Sequence, residues 1–142
     1  MVIALDFDGT CVTHAFPYIG KDIGAIPVLR KLINNGHKFI LFTMRSDMPI
    51  VSSDDPNIYC FPGNYLSDAV NWFKENNIPL YGIQTNPTQH TWTSSPKAEA
   101  SLYIDDCGCG IPLMFDEKFS SRPFVDWKGV ESILIEKNIL KR

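Results

Sequence analysis

Short apolar runs that close on polar residues set the rhythm of this chain. Residues 2–5, 38–42, 80–84 and 101–104 are each dominated by apolar side chains and bounded by polar or turn residues, the pattern of short buried strands. Residues 111–115 are a candidate short fifth strand. Between them the spacing turns helical. Over 25–35, Ile26, Leu29, Leu32 and Ile33 share one face, Pro27 fits the first turn, and Asn35-Gly36 is a stop signal. Over 64–76, Asn64 is the expected cap, Leu66, Ala69, Val70 and Phe73 face inward, and Pro79 prevents continuation. Over 126–138, Asp126 is the expected cap and Val130, Ile133 and Leu134 form the apolar face. Residues 11–24, with Pro17, Gly20 and Gly24, read as a loop or small flap. Residues 44–63 are irregular, with Pro49, Pro56, Pro62 and Ser52-Ser53-Asp54-Asp55; residues 86–96 read as loop.

Buried strands alternating with helices predict a parallel sheet covered on both faces. The expectation is one α/β domain over residues 1–142, Rossmann-like, with a central parallel sheet of about five strands, helices on both faces and no cap domain. In such sheets the ligand crevice lies at the carboxyl ends of the strands. Asp6 and Asp8, Thr43, and Asp105 with Asp106 all stand at strand ends, so they are expected to converge.

Composition changes this picture little. A chain of 142 residues with 44% hydrophobic and 20% charged content fits an ordinary globular domain. A net charge of -3 and the absence of a basic run argue against coating nucleic acid, while leaving contact with a nucleotide end open. No apolar stretch has the length of a membrane span. The first strand follows Met1 directly, which leaves no room for a signal peptide and sets the expectation of a cytoplasmic protein. Cys11, Cys60, Cys107 and Cys109 form no C-x-x-C pair, and His14, His37 and His90 lack zinc spacing, so free thiols are expected. Cys11, beside the acidic turn, is a candidate reactive thiol without an assigned role.

The chemistry begins at Asp6-Phe7-Asp8-Gly9-Thr10. Side chains two apart on a strand point the same way, so both carboxylates aim into one small volume. Like charges that close disfavour each other's ionisation, and a hard divalent cation with oxygen ligands offsets that. The run from the first strand through Asp6-Phe7-Asp8-Gly9-Thr10, then apolar-Thr at Thr43, then Lys97, then apolar-Asp-Asp at Asp105-Asp106, resembles in order and placement the four motifs of the haloacid dehalogenase superfamily, most of whose members are magnesium-dependent phosphohydrolases.

The resemblance implies a role for each residue. Asp6 is the nucleophile that forms an aspartyl-phosphate, and Asp8 the acid that protonates the leaving alcohol and then the base that activates water. Mg²⁺ is the implied cofactor, held by Asp6, the Asp8 carbonyl and Asp105, with Asp106 on a metal-bound water or orienting Lys97. Thr43 and nearby amides contact a phosphate oxygen, and Lys97 pairs with Asp6 and the transferring group. Thr10 and Arg45 are candidate substrate contacts. An arginine two residues past Thr43 suits a bidentate phosphate grip, with a plain surface role as the alternative.

The gaps between motifs leave no room for a folded cap, which resembles the capless class. Water exclusion then falls to loops, an oligomeric neighbour or the substrate itself, and a bulky phosphorylated substrate fits as well as a small one. Residues 11–24 and 44–63 are the candidate selectivity elements, with Tyr59, Phe61 and Tyr65 able to stack on a base or sugar. Three other readings use much the same residues: a phosphotransferase or mutase, a silent phosphate-binding module, and a signalling receiver domain. A receiver, however, carries its acidic pair on the first strand rather than the last.

Overall fold

The computed structural model describes residues 1–48 and 53–141; Pro49 and Ser52 of the expected irregular segment lie outside them. In chain order the elements are β1 (Val2–Leu5), α1 (Ala25–Asn34), β2 (Lys38–Leu41), β3 (Asp47–Met48), β4 (Gly63–Asn64), α2 (Tyr65–Glu75), β5 (Leu80–Ile83), β6 (Leu102–Ile104), β7 (Leu113–Met114), β8 (Phe124–Val125) and α3 (Trp127–Glu136). The central sheet has four parallel strands in the order β5-β2-β1-β6. Strand order therefore reverses at β1, and the gap between the carboxyl ends of β1 and β6 is the crevice such a sheet offers a ligand.

The expected fifth strand does not join this sheet. Leu113–Met114 pairs instead with Phe124–Val125 in a two-stranded antiparallel ribbon. Its apolar run is exposed at Leu113, Met114 and Phe115, so hydrophobicity there marks surface rather than a buried strand. The Pro112 carbonyl accepts from the Asp126 amide, tying the ribbon to the start of α3.

Strand periodicity divides the apolar side chains. Ile3, Leu5, Phe39, Leu41 and Ile104 form one core with Leu29 and Leu32 of α1, Phe73 of α2 and Val130 and Leu134 of α3. α1 touches both other helices: the Arg30 guanidinium donates to the Asn76 carbonyl, and Lys31 pairs with Glu131 at 2.6 Å. The three helices thus share one face of the sheet, where both faces had been expected to carry them. The opposite face, at Ile40, Gly82 and Tyr103, meets the irregular segment 84–100. The Tyr103 hydroxyl donates to the Ala98 carbonyl, and Thr85 and Pro87 crowd against Gly82. Proline and polar residues there allow only one 3₁₀ turn, Gln89–Thr91, so a largely irregular segment covers the second face.

Helix caps follow the sequence at one end and depart from it at another. Asp126 accepts from the Lys128 amide and caps α3 as expected. Asn64 makes no side-chain cap at α2. Asp47 supplies it from β3, taking both the amide and the hydroxyl of Ser67, which holds its carboxyl below the usual range. The segment after β2 is therefore anchored to α2, and β3 and β4 pair as a small antiparallel ribbon. Among the described residues no helix is long and apolar enough to cross a membrane.

Candidate functional site

Alternation along the first motif puts Phe7 into the core, against Trp72 and Phe73, and turns Asp6 and Asp8 the other way. Both line a cavity of about 570 Å³ together with Thr43, Arg45, Asp105 and Asp106. Residues from the ends of three adjacent strands, β2, β1 and β6, meet there as the sequence led one to expect.

Asp6 is fixed by Thr10, whose hydroxyl donates to its Oδ2 at 2.7 Å and accepts from the Asp106 amide at 3.0 Å. Thr10 therefore clasps the two acidic motifs together. It is fully buried, and its carbonyl takes the Trp127 indole N–H at 2.7 Å, so it is a structural tie rather than the expected substrate contact. Burial, reinforced by the charges of Asp105 and Asp106, pushes the Asp6 carboxyl from 3.8 up to about 7, although hydrogen bonds from Thr10 and the Phe7 backbone pull it down.

Asp8 has different company. Arg45 Nε donates to Asp8 Oδ2 and Arg45 Nη2 to Asp8 Oδ1, both at 2.7 Å. This arginine is only 2% exposed and also donates to the carbonyls of Pro17, Tyr18 and Tyr65. Its guanidinium lies 5.2 Å from the ring centres of both Phe7 and Phe16. Arg45 is thus neither a surface residue nor a free phosphate grip. The chain turns inward after β2, and the guanidinium fork is spent on Asp8 and on loop carbonyls.

At β6, ligand atoms of Asp105, Asp106 and Cys107 lie within 4.8 Å of one another; Asp6 and Asp8 stand outside that trio. The charge of Asp106, with some burial, raises the Cys107 thiol, which keeps it protonated and a poor ligand beside hard carboxylate oxygens. The donor set therefore suits a hard cation better than a thiophilic one. Asp105, Asp106 and the buried carboxyl of Asp6 fit Mg²⁺ in chemistry, since oxygen donors and a carboxylate disfavoured by burial are what such an ion stabilises.

His14 was not foreseen. Its Nε2 lies 2.9 Å from Asp106 Oδ2, with both side chains largely buried. The pair packs directly over Gly9, whose φ of +81° only glycine adopts cheaply and whose absent Cβ would collide with the imidazole. Zinc spacing could not have revealed it, because the two residues lie 92 positions apart. Gln84 was missed too: its amide group accepts from the Thr43 amide at 3.0 Å and donates to the Thr43 carbonyl at 2.6 Å. The Thr43 hydroxyl itself accepts from the Arg45 amide at 3.2 Å.

Two expectations meet a different arrangement. Lys97 is exposed, with Nζ 5.4 Å from the centre of the Tyr103 ring, and makes no ion pair with Asp6. Its carbonyl is held by Gln89, within the network that shapes the covering loop. Cys11 is fully buried, donates to the Asp6 carbonyl and is pushed well above the ordinary thiol range by that burial, so it is inert rather than reactive. All four cysteines are free.

No family model and no curated protein matches the chain. It is similar to a solved structure described as the conserved protein coded by a locus from Bacteroides thetaiotaomicron, at 29% identity and a TM-score of 0.69. The likeness covers 96% of this chain and 91% of that one, so the α/β architecture is shared end to end.

Proposed function

We propose that the protein is a Mg²⁺-dependent phosphomonoesterase working through an aspartyl-phosphate on Asp6. The observation that carries the reading is the meeting of four carboxylates and Thr43 around one cavity at the switch point of the sheet. Asp6, Asp105 and Asp106 would hold the cation, which when bound supplies charge neutralisation between carboxylate and phosphate.

The chain's own residues do the rest. Asp6, held by Thr10, presents one oxygen to phosphorus as nucleophile. Asp8 gives its proton to the departing alcohol and takes one from the water that cleaves the aspartyl-phosphate. Each of its oxygens accepts one bond from Arg45, which leaves a second lone pair on each for the proton. The Thr43 hydroxyl and the Met44 amide would be the hydrogen-bond donors to the phosphate, the Arg45 amide being spent on the Thr43 hydroxyl. Lys97, over the Tyr103 ring and outside the cavity lining, would have to move to reach the phosphate.

A silent phosphate-binding module is the second reading, favoured by that same closure of Asp8 on Arg45. A panel of phosphomonoesters assayed for phosphate release with Mg²⁺ and with EDTA separates the two. The phosphatase reading predicts release that needs Mg²⁺ and falls by about 10³ or more in Asp6→Asn. Release undiminished in Asp6→Asn, or none from any substrate, overturns it.

A further inference from the structure

The cavity has two unlike kinds of lining. Beside the carboxylates the lining includes Phe16, Met44, Met48, Ile58 and Tyr59, contributed by the flap and by the segment between β2 and α2, with Phe16 stacked on the arginine that holds Asp8. Met44 is 98% exposed, Tyr59 42% and Phe16 41%, a concentration of bare apolar side chains that an isolated surface seldom carries without use.

The aromatic part of this wall is held in place. The Phe16 ring lies 5.1 Å from Tyr65 and 5.5 Å, edge to face, from Tyr59, and its face meets the Arg45 guanidinium. The Tyr65 hydroxyl donates to the Phe61 carbonyl at 2.8 Å and lies 3.2 Å from that of Pro62, which fastens the base of the Tyr59 loop. Arg122 opens onto the same cavity from the β7–β8 side, exposed and without a side-chain partner among the described residues.

A ligand that satisfies both kinds of lining needs a phosphate for the acidic part and a flat apolar group for the aromatic part. A sugar phosphate would leave the rings in water, and an apolar protein surface would leave the carboxylates unanswered. We propose that Phe16 and Tyr59 form a stacking subsite for the leaving group of a phosphomonoester that bears a planar aromatic ring, a nucleobase or an aryl group. This rests on the phosphatase reading for the placement of the phosphate. Stacking of one base on such a platform is worth on the order of tenfold or more in affinity.

The test is calorimetric titration of the Asp6→Asn protein, in Mg²⁺, with adenosine 5′-monophosphate, 4-nitrophenyl phosphate and glycerol 2-phosphate. At least one ring-bearing ligand should bind about tenfold more tightly than glycerol 2-phosphate. Tyr59→Ala in the same background should bring that ratio close to one, and Tyr59→Phe should retain it. Preference for the nucleotide alone assigns the site to nucleosides; equal preference for both assigns it to the ring itself. Equal affinity for all three, binding of none, or a ratio untouched by both Tyr59→Ala and Phe16→Ala overturns the subsite. If the ratio behaves as expected while the wild type releases phosphate from none of them, the subsite stands and the phosphatase reading falls. If the wild type hydrolyses phosphomonoesters but shows no ratio, the reverse holds.

Discussion

Asp6 and Asp8 stand just past the end of β1 with one residue between them, yet their surroundings are opposites. Asp8 is answered within the chain by a buried bidentate arginine. Asp6 faces two further aspartates, is driven towards its neutral form by burial, and receives a hydroxyl and a backbone amide but no cation from the described residues. One half of the site is complete as folded, whereas the other is stable only if it keeps a proton or acquires a positive ion. If the protein takes a divalent cation, as proposed above, the difference assigns it to the Asp6 half.

The strongest way to break this contrast is through pH. Asp6 ionises near 3.8 when unfolded and near 7 when folded, so its contribution is full below about pH 4 and is lost as pH rises through about 7. In EDTA the wild type should therefore lose up to about 4 kcal/mol relative to Asp6→Asn across that window. Thermal unfolding of both proteins against pH checks it, and parallel profiles would refute the unanswered charge.

The Asp8 half should respond differently. Arg45→Ala leaves Asp8, three carbonyls and the Phe7 and Phe16 rings without their shared partner, and should cost about 3 kcal/mol in urea unfolding. That loss should be the same with Mg²⁺ as with EDTA; a loss that Mg²⁺ repairs would mean the two halves are not separate. Smaller again is Gly9→Ala, at roughly 2 kcal/mol, from a left-handed backbone position and the collision with His14. It should disturb the His14 ring while the Arg45 pair persists, which NMR of the imidazole and guanidinium protons would report.

The strand-borne part of the site was legible because it obeys local rules. Parallel strands end on one edge, side chains alternate, and acids at those ends must meet, whatever the chain does between them. What the loops do obeys no such rule. Arg45 read as a phosphate grip or a surface residue because nothing in the sequence says that the chain turns inward after Thr43. His14 and Asp106 meet only because the turn at Gly9 folds residues 10–14 back over the strand end, where Val12 bridges to Asp8 and to Asp22. The fifth strand failed for a related reason: residues 111–115 are apolar enough for a core, but their run sits in an exposed ribbon, and hydrophobicity alone does not tell the two apart. Lys97 is placed by a polar network, from Asn86 and Gln89 to Glu99, that has no sequence period to read.

Calorimetric titration of the protein with Mg²⁺ at pH 6, run in buffers of differing ionisation enthalpy, tests the unanswered half most directly. The account predicts one binding event that releases a proton to the buffer, as expected when a cation displaces the proton held on Asp6. It also predicts that Asp105→Asn weakens that event severely. Mg²⁺ binding with no proton release, binding undiminished in Asp105→Asn, or no binding at all would contradict it.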